Sequence, residues 1–238
     1  MVSLTLAHAQ PAEAAFTSHT SSSSTFRAKS YTPITIGRAA GFAALAATSV
    51  TNSTTFNTSI TGTVGVTPGR TVSGFWPWDI TGGTELDTAS ARAAMVDSKG
   101  VATALRERPT TRKLAPALSG TLAPGVYEST SGAFSVAGGL VLDAKGDTSA
   151  RFVFFTSGNL TLAQRSSITL TGGAQAGNVW WVVGGALTAG SSTLSRDTTA
   201  VGNFIVAGAA TLRGTNVTGR VVSRTASVSV GATQIALP

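Results

Sequence analysis

Short strands recur along this sequence at a loose spacing of about 20 residues, and that spacing is the feature that most limits the possible fold. Bulky apolar strands begin near residues 152, 179, 203 and 220. Each is followed by a strand in which apolar residues alternate with Thr or Ser, and then by a shorter polar strand, with Gly at the corners. Three strands per repeat predict a solenoid, or β-helix, and a sandwich of short strands is the alternative.

The composition favours many short strands over helices. Gly, Ser and Thr make up 91 of the 238 residues, and 11% of the residues are charged, against about a quarter in an average globular protein. The chain has no cysteine, which excludes a disulfide framework and a thiolate nucleophile. No apolar run reaches the roughly 18 residues that a membrane span needs. The formal net charge of +7 comes from scattered basic residues without interleaved aromatics, so we expect no nucleic-acid partner.

One helix is predicted to interrupt the strands, at about residues 85–107. Thr84 or Asp87 can cap its start, and Pro109 ends it. Small residues fall at helical spacing on one stripe, namely Ala91, Ala94, Met95, Ser98, Val101, Ala102 and Leu105. A helix along one side of the solenoid explains why a bulky strand such as Val179–Val183 is apolar on both faces. We expect the helix to cover one side and to leave another bare.

The first 30 residues differ from the rest of the chain. They hold both histidines and a run of four serines, and they show no convincing apolar period. The short apolar stretch near the start lacks the basic flank of a good secretory signal. We therefore expect residues 1–30 to be a disordered or processed leader, or a truncated signal, followed by one β-helix domain over residues 31–238.

Seven short motifs occur in order along the chain. They are IGRAAGFAALAATSVTN (residues 36–52), TGTVGVTPG (61–69), VSGF (72–75), LAPGVY (122–127), LVLDAKGD (140–147), GAQAGNVWW (173–181) and NVTGR (216–220). Together, from about residue 34 to 235, they resemble the microbial ice-binding (antifreeze) protein family with a discontinuous β-helix. The resemblance implies a right-handed, three-sided β-helix with a long helix along one side. It also implies that the N-terminal coil lies beside the C-terminal one.

The resemblance further implies that one flat side of the β-helix binds ice. When the Leu and Val residues of the alternating strands point inward, the outward positions are small and uncharged. The predicted face consists of Asn159, Thr161, Ala186, Thr188, Ala209, Thr211, Ser227 and Ser229, with Thr48 placed beside Ser227 by the family's coil order. A threonine there offers a hydroxyl to a water lattice and a methyl group that orders nearby water.

These observations predict a secreted, extracellular ice-binding protein that inhibits ice growth and recrystallisation. Its partner is the ice surface, and we expect a monomer with no cofactor, metal, nucleic acid or membrane. A β-helical polysaccharide hydrolase or lyase is one alternative, but the nine acids after the leader, such as Asp143 and Asp147, form no plausible cluster on one face. A carbohydrate-binding or adhesive module is the other, with Trp76 and Trp78 as candidates that we expect to be packed in the turn before the helix.

Four N-glycosylation sequons begin at Asn52, Asn57, Asn159 and Asn216. A glycan on Asn159 would stand on the predicted face and block it. We therefore predict that Asn159 is unmodified.

Overall fold

The computed structural model describes residues 34–54 and 56–238, so the predicted leader lies outside the described residues. In chain order the strands are β1 (Phe42–Ala46), β2 (Ser49–Asn52), β3 (Ser59–Thr61), β4 (Thr63–Val66), β5 (Thr71–Ser73), β6 (Thr84–Leu86), β7 (Arg112–Leu114), β8 (Gly120–Leu122), β9 (Gly125–Ser129), β10 (Phe134–Val136), β11 (Gly139–Asp143), β12 (Phe152–Thr156), β13 (Leu160–Leu162), β14 (Ser167–Thr171), β15 (Val179–Val183), β16 (Leu187–Ala189), β17 (Thr198–Val206), β18 (Ala210–Arg213), β19 (Thr215–Ser223), β20 (Val228–Gly231) and β21 (Gln234–Ala236). The helix α1 (Ala89–Arg106) lies between β6 and β7, and two short 3-10 turns span Gly37–Gly41 and Ala176–Asn178.

The strands stack in parallel into three sides. The side that α1 covers runs in the order β6-β4-β1-β19-β17-β15-β12-β9-β7, using the second halves of β17 and β19. The second side is a separate seven-stranded sheet in the order β10-β13-β16-β18-β20-β2-β5. The third side contains β8, β11, β14, the first halves of β17 and β19, β21 and β3. The predicted β-helix with one helix along a side is confirmed.

The coils are stacked out of chain order. Strand β1 lies between β19 and β4, with Ala44 opposite both Val221 and Val64. Strand β2 lies between β20 and β5, so Val50 is opposite Val228 and Val72. The N-terminal coil therefore sits directly against the C-terminal one, as the family resemblance implied.

A pair of glycines turns two long strands around a corner. Gly202 in β17 lies opposite Gly219 in β19, with φ angles of +117° and +146°. A Cβ atom on Gly219 would overlap the carbonyl oxygen of Gly202. Only glycine combines this left-handed backbone with so close an approach, so each strand can serve two sides.

A buried polar cluster ties the first coil to the last ones. The Arg220 guanidinium donates to Asn203 Oδ1 at 2.6 Å and to the Ala40 carbonyl at 3.1 Å. The Asn203 amide in turn donates to the Gly177 and Val179 carbonyls. Burial lowers the pKa of Arg220. Hydrogen bonds to a charged, buried donor are among the stronger ones, and the bond from Arg220 to Ala40 joins residues 180 positions apart.

Apolar side chains form two separate clusters, one inside the solenoid and one beneath the helix. The inner cluster contains a stack of rings in the order Tyr127, Phe154, Trp181 and Phe204, with centroids 5.3, 4.1 and 5.9 Å apart. The outer cluster joins alternate residues of the same strands, such as Trp180 and Ile205, to α1. This arrangement confirms why the bulky strands are apolar on both faces.

The helix begins a few residues later than the sequence predicted. Thr84–Leu86 is strand β6 instead, because it pairs with β4. The cap is Thr88, whose Oγ1 accepts a hydrogen bond from the Ala91 N–H at 3.1 Å. The predicted stripe is confirmed, because all seven of its residues are buried. In the described part of the chain, no helix has the length and apolar character to cross a lipid bilayer.

Asp87 precedes the helix in a left-handed conformation, with φ at +53°. It does not cap the helix, because its carboxylate accepts hydrogen bonds from Thr67, Arg70 and Arg92. Chiefly because of the bond from Arg92, followed by those from Arg70 and Thr67, the pKa of Asp87 is well below its usual range. These hydrogen bonds hold the chain in place between β6 and α1.

Candidate functional site on the uncovered sheet

The outward surface of the seven-stranded sheet carries an unbroken row of hydroxyl groups, one from each strand. We call this surface the hydroxyl face. Its central row consists of Ser135, Thr161, Thr188, Thr211, Ser229, Thr51 and Ser73. Neighbouring members are directly opposite one another in the parallel register, so they repeat at the strand spacing of about 4.8 Å. Seven strands give this row a length of about 29 Å.

A second row of small side chains runs beside the first. In six of the seven coils it lies two residues before the member of the central row, either in the strand or immediately before it. Two residues of extended chain span about 6.8 Å. Its members are Asn159, Ala186, Ala209, Ser227, Ser49 and Thr71. The residues between the two rows point inward, and Leu160, Leu187 and Val228 are completely or almost completely buried. The two rows therefore form a regular two-dimensional array on a rigid support.

Stacked glycines leave the corner before the second row without side chains, so nothing there projects above the sheet. Gly158, Gly185 and Gly208 follow one another there, and a Cβ atom on any of them would press on the glycine of the preceding coil. Asn159 uses the space above Gly185, where its Oδ1 accepts a hydrogen bond from the Ala186 N–H at 2.9 Å. This longest side chain of the row is therefore held down against the sheet.

Neither row contains a charged or titratable side chain. The nearest charges along the chain are Arg70, just before Thr71, and Arg213, two residues after Thr211. Beyond the corner, Asp197 accepts a hydrogen bond from Gln164 at 3.0 Å, and that bond is the main reason why the pKa of Asp197 is lowered. Arg213 belongs to β18 and lies on the same outward side of the sheet as Thr211, so the charges of this part of the molecule border the two rows without entering them.

The third side carries similar residues but lacks the same regularity. Thr121, Thr169, Thr218 and Thr61 are all exposed there. However, β14 pairs with β17 at a single position, Ser167 opposite Thr199. Past that position the strands separate, and a cavity of about 470 Å³ opens, with Leu170, Ala174 and Thr218 in its wall. The array of the third side is therefore interrupted in the middle.

The structure brings eight of the nine predicted site residues together on the hydroxyl face. Thr48 is the exception, and its predicted place beside Ser227 is wrong. Because β1 ends at Ala46 and the chain bends over residues 47 and 48, the Thr48 N–H donates to Ala226 at the corner. Ser49 lies beside Ser227 instead, since Val50 is opposite Val228.

Sequence reasoning missed the outer coils of the hydroxyl face. The missed residues are Ser135, Ser49, Thr51, Thr71 and Ser73. Ser135 carried a readable signal, because it alternates with the buried Phe134 and Val136 just as Thr161 does with its leucines. The others come from the first coils, whose neighbours are distant in the chain.

The expectation that Trp76 and Trp78 are packed is also wrong. They are 49% and 71% exposed, and their rings stack on each other with centroids 5.3 Å apart. Phe75 and Ile80, which flank them in the sequence, are half-buried and pack on the end of the inner cluster instead. The turn between β5 and β6 is therefore closed from beneath by apolar residues and carries its indoles outside.

A three-sided parallel solenoid with a helix on one side, and an uncharged array of Thr, Ser and Ala on another, defines a discontinuous β-helix protein of the ice-binding class. The sequence profile of the family described as "Ice-binding-like" matches residues 44–236. The chain belongs to this family. Ice binding is not a catalytic function.

Known proteins agree with this assignment in both sequence and structure. An ice-binding protein of Nostoc sp. (strain HG1) is 33% identical over 204 residues, which cover 84% of this chain and 72% of that protein. An ice-binding protein of Flavobacterium frigoris (strain PS1) is 30% identical over 176 residues, or 67% of this chain and 62% of its own length. The crystal structure of an ice-binding protein from the Antarctic ascomycete Antarctomyces psychrotrophicus superposes with a TM-score of 0.77 at 31% identity, covering 86% of this chain and 98% of that one.

Proposed function

We propose that this protein adsorbs to ice through the hydroxyl face and thereby inhibits ice growth and recrystallisation. The observation that carries the proposal is the continuous register of seven hydroxyl side chains, from Ser135 to Ser73, on the side that α1 leaves uncovered. No other side of the described solenoid combines an open surface with unbroken strand pairing.

The chemistry of the two rows suits a water lattice. A threonine hydroxyl can donate one hydrogen bond and accept two, so it can replace a water molecule at a lattice position. Its methyl group cannot be solvated well, and water beside it is therefore already ordered. An ionised group would instead orient water around its own charge, and the two rows contain none.

Spacing and rigidity allow the weak contacts to act together. Repeats of about 4.8 Å across the strands and about 6.8 Å along them are of the same scale as the repeats of ice. One such contact holds little, but many fixed on one support bind together with a far greater affinity than any one alone. An adsorbed protein makes the ice bulge outward between neighbours, and curved ice melts more readily.

The site of action and the assembly state follow from the same proposal. Ice forms first in the medium outside cells, so a secreted, extracellular protein is the form that would meet it. A monomer suffices, because one chain supplies all seven strands of the hydroxyl face. Size-exclusion chromatography with light scattering should give the mass of a single chain.

The test uses one bulky substitution on the hydroxyl face and one on the third side. Thr188→Tyr places a ring in the central row, whereas Thr169→Tyr places the same ring in the middle of β14; both threonines are exposed. We expect Thr188→Tyr to raise the concentration that halts recrystallisation by about tenfold or more, since multivalent binding is lost when the contacts cannot engage simultaneously. Ice-crystal shaping should weaken in parallel.

Thr169→Tyr should behave as the wild type in both assays. The melting temperatures of the two variants should stay near that of the wild type, because exposed substitutions usually change the free energy of unfolding by less than about 0.5 kcal/mol. Equal loss of activity in both variants, or loss in Thr169→Tyr alone, would show that the hydroxyl face is not the ice-binding surface.

A further inference from the structure

The turn between β5 and β6 closes one end of the solenoid and is held rigidly. The Asp79 N–H donates to the Trp76 carbonyl at 3.0 Å across a four-residue turn, with Pro77 in its second position. The Asp79 carboxylate accepts a hydrogen bond from the backbone N–H of Trp76 at 2.9 Å, and Asp79 is buried. Pro at that position of a turn presets the backbone angle. The two tryptophans therefore project from a fixed platform.

The platform exposes more apolar surface than a solenoid cap needs. Terminal coils normally present a polar outer face, which keeps the stack soluble. Here Trp76 and Trp78 stack with their planes only 2° apart, and Leu86 beside them is 41% exposed. Neither indole N–H donates to any residue that the structure describes. Contiguous exposed apolar patches are a feature of interaction sites and ligand-binding grooves.

A pocket of about 390 Å³ lies against this platform. Its volume falls at the lower end of the roughly 300–1,000 Å³ that is usual for sites of small ligands. Trp76, Phe75 and Leu86 supply apolar wall, and Ser73 and Thr84 supply hydroxyl groups. Ser73 is also the last member of the central row, so the pocket begins where the hydroxyl face ends.

The lining selects an uncharged ligand with one apolar face and several hydroxyl groups. None of the described residues that line the pocket is charged, so a nucleic acid would find no partner there for its phosphates. A second copy of this chain is disfavoured, because each copy carries a formal net charge of +7. A pyranose ring fits: its C–H face can stack on an indole, and its hydroxyls can exchange hydrogen bonds with Ser73, Thr84 and the indole N–H groups.

We propose that the Trp76–Trp78 platform and its pocket form a binding site for a neutral polysaccharide, which adjoins the hydroxyl face at Ser73. The protein would then hold a glycan surface at the end of the solenoid and ice along its side. Such an arrangement places ice-binding molecules where a cell wall or secreted polysaccharide meets the freezing medium. The inference does not require that the hydroxyl face binds ice, and the two sites have separate readouts.

The test measures binding of the full chain to insoluble cellulose and chitin and to soluble laminarin and dextran, with acidic alginate for comparison. We expect binding to at least one neutral polysaccharide, and little effect of added salt, since no ion pair is involved. Trp78→Ala and Trp76→Ala should each weaken that binding by about tenfold or more, as truncation of an aromatic anchor does. Both variants should keep the ice-shaping activity of the wild type.

Phe56→Ala is the matched control, because Phe56 is also a strongly exposed aromatic residue but neither lines the pocket nor, unlike Trp78, stacks on Trp76. It should bind the polysaccharide as the wild type does. Melting temperatures show that the tryptophan variants are folded. Absence of binding to all four neutral polysaccharides would overturn the proposal, as would unchanged binding by both tryptophan variants. A wild-type dimer that Trp78→Ala dissociates would also overturn it, by assigning the platform to contact between copies.

Discussion

The helix-covered side and the hydroxyl face are built from the same coils, yet their outward residues differ completely. Both sides turn an apolar row toward the inner cluster. On the covered side the outward row is also apolar, with Val153, Trp180 and Ile205 packed under α1. On the hydroxyl face the outward row is Thr161, Thr188 and Thr211. The comparison shows a division of roles. The covered side buries apolar surface and stabilises the fold, whereas the hydroxyl face stays exposed and can contact an external surface.

The largest expected effect on stability lies on the covered side. Ile205→Ala removes a fully buried side chain beneath α1, and we expect a loss of about 2–5 kcal/mol in the free energy of unfolding, as for other large-to-small core changes. Thr211→Ala, on the hydroxyl face of the same coil, should cost less than about 0.5 kcal/mol. Chemical denaturation of both variants measures the difference, and similar costs would mean that the two sides do not divide their roles.

Low pH should also distinguish the two sides, because the carboxylates that stabilise the fold lie outside the two rows of the hydroxyl face. Bonds from Arg92, Arg70 and Thr67 lower the pKa of Asp87 below its ordinary value of 3.8. A depressed pKa in the folded protein means that Asp87 stabilises the fold above pH 3.8 and loses this contribution as the pH falls toward its folded-state pKa. The pKa values of Asp197 and Asp147 are lowered in the same direction. We therefore expect the melting temperature to drop in acid, and to drop less in Asp87→Asn.

The two rows of the hydroxyl face contain no acidic or basic side chain. Recrystallisation inhibition should therefore be constant between about pH 5 and pH 9, where ordinary Asp, Glu and Lys side chains keep their charge. Splat-cooling assays across this range check the expectation. Activity that followed a titration curve there, while the protein remained folded, would place a charged group in the ice-binding surface.

The smallest expected effect concerns glycosylation of the exposed Asn159. Its Oδ1 is bound to the Ala186 N–H, and a glycan on its Nδ2 would stand between the two rows. We expect mass spectrometry of native material to find this sequon unmodified. Asn57 and Asn216 lie outside the two rows, so a glycan on either leaves the hydroxyl face open. Asn52 follows Thr51 in β2, but its Nδ2 is buried. A fully active protein with a glycan at Asn159 would contradict the assignment of the second row.

Sequence periodicity predicted the parts of the fold that depend on local alternation. The helix stripe from Ala91 to Leu105 and the inward leucines of β13 are of this kind, because period and burial are linked within one element. Positions set by distant partners were harder. Thr48 and Ser49 differ by one residue, and a shift of one residue exchanges the two faces of a strand. Only the bend after β1 and the pairing with Ala226 decide between them.

The turn that carries Trp76 and Trp78 shows the same limit of sequence-based prediction. The letters of GFWPWD indicate a tight turn, but they do not say which aromatic ring faces the core. Phe75 does so, because it lies nearest to the end of the inner cluster, and the two indoles are left outside. The predicted helix start was wrong for a related reason. Thr84 is a good cap in isolation, but it pairs with β4 and therefore forms part of strand β6.

The interleaving of first and last coils has a consequence for biosynthesis. Strands β2 and β5 leave the ribosome early, but β20, which pairs with β2, is completed only at Gly231, 179 residues after Asn52. Such distant pairings form slowly, because a long loop must close first. A nascent chain therefore carries its first two rungs unpaired until β20 has been made, and the hydroxyl face becomes continuous only at that late step.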